Sequence, residues 1–159
     1  MAEIIKTYRQ PVGASRFVGK KYTAEDFKES SIFEKWGEWF QSGWFDTLEA
    51  LGDVGEGQIG LMRIHEGAHE YYIGYFMPVE TAPPLGFIHI DFPPGELGVC
   101  WVQGQQNEIY GQESRCKEKL NEEGITVPIS GWHFERYNCP RFTQPDGQER
   151  VILDVCFIL

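Results

Sequence analysis

The sequence predicts an α+β domain: an antiparallel sheet with two helices on one face, built as a pseudo-repeat of two strand–helix–strand–strand units. Three observations predict it. The runs QIGLMRI, YYIGYFMPV and RVILDVCFIL are rich in β-branched and aromatic residues and are bounded by turn residues, as strands are. Ile32, Phe33, Trp36, Trp39, Phe40 and Trp44 recur at helical spacing. The order strand, helix, hairpin then occurs twice, and an antiparallel sheet with its helices on one face is the natural outcome.

The first twenty or so residues read as two short strands broken at Pro11-Val12-Gly13. Thr23 and Asp26 form a capping-box-like pair that predicts the start of a helix. Gly43 ends or kinks that helix, and Phe45 to Leu51 extends it until Gly52. QIGLMRI and YYIGYFMPV read as a hairpin joined through HEGAHE. FIHIDF and LGVCWVQ follow as two strands around Pro93-Pro94-Gly95. Asn107 is placed to cap a second helix running to about Asn121, with Gly124 as its stop. Its apolar stripe is thin (Ile109, Tyr110, Cys116, Leu120), so a surface position is expected. WHFERYNC and RVILDVCFIL form the last hairpin, turning at Gln144-Pro145-Asp146-Gly147. No linker separates two parts, so residues 1–159 are expected to be a single domain.

The formal net charge is −10, which argues against direct nucleic-acid binding, because phosphate calls for a cationic footprint. The same field favours cationic ligands. Cys100, Cys116, Cys139 and Cys156 form no C-x-x-C pair, and the first ten residues hold no apolar signal core. Free thiols in a reducing cytoplasm are the expectation. No apolar run approaches the roughly 20 residues of a membrane span.

His65-Glu66-Gly67-Ala68-His69 matches H-E-x-x-H, which on a helix presents two imidazoles to zinc. Gly67 in its middle and strand-like flanks argue for a polar hairpin turn instead, so no metal is expected and no cofactor is assigned. No nucleophile elbow, Walker loop or dinucleotide fingerprint is present.

Glu135 is the acid that stands out. In a strand from Trp132 to Tyr137, alternation places His133, Glu135 and Tyr137 on one face and Trp132, Phe134 and Arg136 on the other. A carboxylate beside aromatics in a dry cavity attracts a cation, or acts as a general base if its pKa rises. The alternative is an exposed sheet carboxylate. Asp154 interrupts the run VILDVCFIL and shares a face with Ile152, Cys156 and Ile158; it reads as a second cavity acid or as a charge that guards a strand edge. Trp101 and Tyr110 flank the start of the second helix and are candidate pocket walls. Trp39 lies in a stripe at core spacing and is a further candidate ligand contact.

The run YYIGYFMPVETAPPLGFIHIDFPPGELGVCWVQG resembles the middle of GyrI-like, effector-binding domains: a strand carrying I-G, then P-x-G-F, F-P-x-G and an apolar strand ending in Gly. GWHFERYNCPRF and RVILDVCFIL are similar to that family's later strands. The resemblance implies two strand–helix–strand–strand repeats around a central cleft. It implies capture of amphipathic, aromatic or cationic compounds there, with an acid meeting the ligand at the position of Glu135. The family's closing-strand acid falls on Asp154, a shorter side chain than the usual Glu. Where many members carry His-x-Gly, this chain has Val102-Gln103-Gly104. No helix-turn-helix precedes the domain, so regulation would need a DNA-binding partner. Two other activities of the family are carried as alternatives: hydrolysis of cyclopropane-bearing genotoxins with Glu135 as general base, and inhibition of DNA gyrase.

Overall fold

A computed structural model describes residues 1–159. The first repeat runs through β2 (Ser15–Thr23), α1 (Ile32–Ser42), α2 (Trp44–Glu49), β3 (Gln58–His65) and β4 (Ala68–Met77). The second runs through β6 (Gly95–Gln105), α3 (Glu113–Glu122), β7 (His133–Tyr137) and β8 (Arg150–Ile158). Each repeat is preceded or followed by one more strand, β1 (Glu3–Val12) and β5 (Ile88–Phe92). All eight strands join one antiparallel sheet in the order β1-β6-β8-β7-β3-β4-β2-β5. The repeats meet at its centre, where β7 pairs with β3.

The helices pack on one face. Beneath α1 and α2 lie Val18, Tyr22, Tyr71, Ile73 and Tyr75, together with Trp39, Phe45 and Leu48 from the helices themselves. Beneath α3 lie Cys100, Val102, Leu153 and Val155. The other face has no helix, yet Phe17, Leu61, Val99 and Cys156 on it are fully buried. Chain geometry explains this. Only Gly13 and Ala14 join β1, at one edge, to β2, six strands away in the sheet. Six spacings of about 4.8 Å come to roughly 29 Å in a flat sheet, whereas the link from Val12 to Ser15 reaches about 11 Å. Pro93-Pro94 makes the matching short step from β5 to β6. The sheet therefore curls until its ends approach, and the face without helices becomes an interior.

Several local expectations change. Thr23 and Asp26 do form the capping box, but it starts only a single tight turn, Ala24–Phe27. Ser31 then caps α1, accepting a 3.2 Å hydrogen bond from the Glu34 amide. Gly43, at φ 69°, closes α1 in the left-handed region and separates it from α2. The second helix begins at Glu113, not after Asn107, because Gly111 adopts φ 75° and stops helical geometry from running through it. α3 is also anchored, with Cys116 and Leu120 fully buried. The H-E-x-x-H segment is a tight hairpin: His65 pairs with Ala68, and Glu66 and Gly67 turn with φ 52° and 79°. His65 and His69 thus lie on adjacent strands.

Candidate functional site

Glu135 lies mid-strand in β7, opposite Gly60 of β3 and Val155 of β8, on the face that carries the helices. It is 7 % exposed and forms no ion pair. Its carboxylate accepts one hydrogen bond, 3.2 Å from the Tyr137 hydroxyl. Burial, and then the charge of Glu113 in the first turn of α3, push its pKa up to about 7, against the weaker pull of Tyr137.

Aromatic side chains from both repeats close around it. Trp36 of α1 meets Tyr137 edge to face with centroids 4.9 Å apart. Its indole Nε1 donates to the Tyr71 hydroxyl at 2.9 Å. Phe33, one turn earlier, meets Tyr110 edge to face at 6.0 Å. Burial, with the nearby Glu135 charge, raises the phenols of Tyr71, Tyr110 and Tyr137 above their ordinary value. They remain neutral donors in this setting. Burial lowers the pKa of His133, the next β7 residue on this face, and its ring stacks on Phe157. No cation in the protein neutralises Glu135.

The other acids contrast with it. Glu70 is also buried, but Tyr72 and Arg63 each bind it at 2.7 Å and Lys21 at 3.2 Å. Although burial opposes them, these partners hold its pKa down at about 2. Asp154, on the face without helices, pairs with Arg136 at 2.8 Å and with Arg141 at 2.5 Å.

The residues singled out from sequence therefore divide. Glu135, Tyr137 and Tyr110 come together. Asp154 does not join them, because it points to the opposite face and is already paired to two arginines. Trp101 lies directly across from Asp154 in the β6–β8 register, on that same far face. Its indole donates to the Tyr8 hydroxyl at 3.2 Å, and Arg141 stacks on it at 4.3 Å. Trp39 is fully buried between α1 and the sheet, donating to the Tyr22 hydroxyl at 2.9 Å, so it is core. Trp36, Tyr71 and Glu113 take the places around Glu135 that sequence reasoning did not assign, with Phe33 against Tyr110. The helical stripe contained Trp36, but nothing in its spacing separates it from Trp39.

The structure also contains two sizeable hollows, of about 410 Å³ on the face without helices and about 310 Å³ beside His133 and Glu113. Neither is lined by Glu135.

No family model matches the sequence, and no curated protein matches it either. Solved structures do. SAV2435 bound to tetraphenylphosphonium superposes with a TM-score of 0.74 at 18% identity, over 97% of this chain and 93% of that one. The two chains share one fold. A putative bacterial transcription regulation protein from Staphylococcus aureus MU50 gives 0.70 at 19% identity, over 97% of both chains. The C-terminal domain of EcmrR gives 0.61 at 7% identity, over 96% of both. At these identities only the fold carries over.

Proposed function

We propose that the protein is a small-molecule-binding domain that captures an amphipathic aromatic cation against Glu135, under the roof made by α1. The observation that carries this is a buried carboxylate with no cationic partner, enclosed by Tyr137, Tyr71, Tyr110 and Trp36. An unpaired buried charge is costly, and a cation with an apolar body removes that cost while stacking on the rings. That SAV2435 is found with tetraphenylphosphonium supports the reading. Access requires the Trp36–Tyr137 and Phe33–Tyr110 contacts to part, which places the moving element at α1. Free cysteines suit a cytoplasmic setting, and a DNA-binding partner would turn occupancy into regulation.

Calorimetric titration with tetraphenylphosphonium tests the proposal. Saturable binding is expected, with Glu135→Gln losing about 2–5 kcal/mol of affinity if the ion pair is desolvated. Absence of saturable binding to folded protein rejects it.

A second reading rests on the Glu135 pKa of about 7. A carboxylate poised there suits a general base that activates water against a strained electrophile, with Tyr110 stacking the substrate. Turnover of a cyclopropane-bearing genotoxin, lost in Glu135→Gln, would separate hydrolysis from capture.

A further inference from the structure

The larger hollow lies on the face of the sheet that faces away from Glu135. It holds about 410 Å³ and opens between three short segments: the Gly13-Ala14 link, the Asp53–Gly57 loop and the Pro93-Pro94 link. That volume falls within the range of small-molecule sites. Its floor is apolar. Phe76 meets Phe134 with centroids 5.0 Å apart and Phe92 at 5.7 Å, and Ile59, Leu97 and Ile158 complete it.

The walls are built firmly. A Cβ on Gly57 would lie 2.4 Å from the Tyr137 carbonyl oxygen, so the loop can press against β7 only because that residue has none. Asn138 Nδ2 donates to the Glu56 carbonyl at 3.1 Å, and Arg136 pairs with the Glu56 carboxylate at 2.9 Å. Gly95 and Val12, directly opposite each other in the β1–β6 register, lie on the same side as Leu97 and form a smooth wall. A Cβ at Gly95 would meet nothing within 4 Å, so the space beside it is open.

The polar groups around the hollow select for one sign of charge. Arg136 is the single basic residue among those lining it, and its donors are taken by Asp154, Gln10 and Glu56. Asp53 and Glu56 lie exposed among the same lining residues, and each uses only one carboxylate oxygen in its contacts within the protein. An anion finds no free cationic side chain there, whereas an ammonium group finds carboxylates beside an apolar floor.

We infer that this hollow is a second ligand site, separate from Glu135, that takes an amphiphilic amine with its apolar body on the Phe76–Phe134 floor and its ammonium group at Asp53 and Glu56. The β7 backbone stands between the two sites, since Phe134 and Arg136 face this hollow while Glu135 faces the helices. The inference does not depend on what Glu135 binds.

Dansylcadaverine, a primary amine with a flat apolar body, is the probe. Amide NMR of the isotope-labelled full chain should show saturable shifts at Val12, Gly55, Gly95 and Leu97, and these should persist in Glu135→Gln. Gly95→Trp places a ring in the open space and should weaken the same binding by about tenfold or more. Tetraphenylphosphonium titration of Gly95→Trp reports separately on the Glu135 face. If Gly95→Trp does not fold, the shift map of the wild type decides alone. Shifts confined to Glu135, Tyr137 and Tyr71, or no saturable shift at all, overturn the inference.

Discussion

Gly60 stands directly opposite Glu135 across the β3–β7 seam, and the Tyr71 hydroxyl lies 2.5 Å from where a Gly60 Cβ would be. The missing side chain of one repeat makes room for the phenol that borders the acid of the other. Tyr71 is buried and bound to Trp36, so it has little freedom to yield. Gly60→Ala should therefore cost about 1–3 kcal/mol through overpacking. Chemical denaturation measures it, and a cost near zero would mean that Tyr71 is held more loosely than its contacts imply.

Glu135 should make stability fall with pH. Its folded pKa of about 7 lies above the ordinary 4.5, so the folded state binds the extra proton between those values. The contribution is fully present below about pH 4.5 and is lost as pH rises through 7. The shift corresponds to roughly 3 kcal/mol. Glu135→Gln should accordingly be more stable than the parent at about pH 8, and the difference should disappear near pH 4.5. Thermal unfolding at the two pH values checks this. Equal stability at both would place the carboxylate in contact with water.

Cation capture at Glu135 should release a proton. Below pH 7 the free protein holds the carboxyl neutral, and a bound cation favours its ionised form. Affinity for tetraphenylphosphonium is expected to rise up to about pH 7 and level off above it. Calorimetry in buffers of different ionisation enthalpy counts the protons. A count of zero near pH 6 would show that Glu135 does not meet the ligand's charge.

Asp154 holds structure rather than ligand. Asp154→Ala would leave Arg136 and Arg141 without their shared partner at a fully buried position. Removing one member of such a group costs about 3–5 kcal/mol. The loss should appear in unfolding measurements, while tetraphenylphosphonium affinity of the folded fraction stays unchanged. A selective loss of affinity would bring Asp154 back into the site.

The α+β class, both repeats and the facing of β7 were legible because each depends on local periodicity. Alternation along His133–Tyr137 needs no partner strand. It also groups Asp154 correctly with Ile152, Cys156 and Ile158. What alternation does not say is which side of the sheet that group shares with Glu135. That depends on the register of β7 with β8, where Arg136 opposes Asp154 and Glu135 opposes Val155. Trp101 was misplaced for the same reason. Trp36 and Trp39 lie on one stripe, and the seating of α1 on the sheet decides which reaches Tyr137. The role of Gly111 was likewise hidden, since its left-handed backbone is a tertiary outcome.

Glu135 and Arg136 are neighbours in the chain, yet they are assigned to separate electrical compartments. The pleat turns the guanidinium toward Asp154, Glu56 and Gln10, leaving the carboxylate on the far side of a one-residue-thick wall. The counter-ion nearest in sequence is thereby withheld from Glu135.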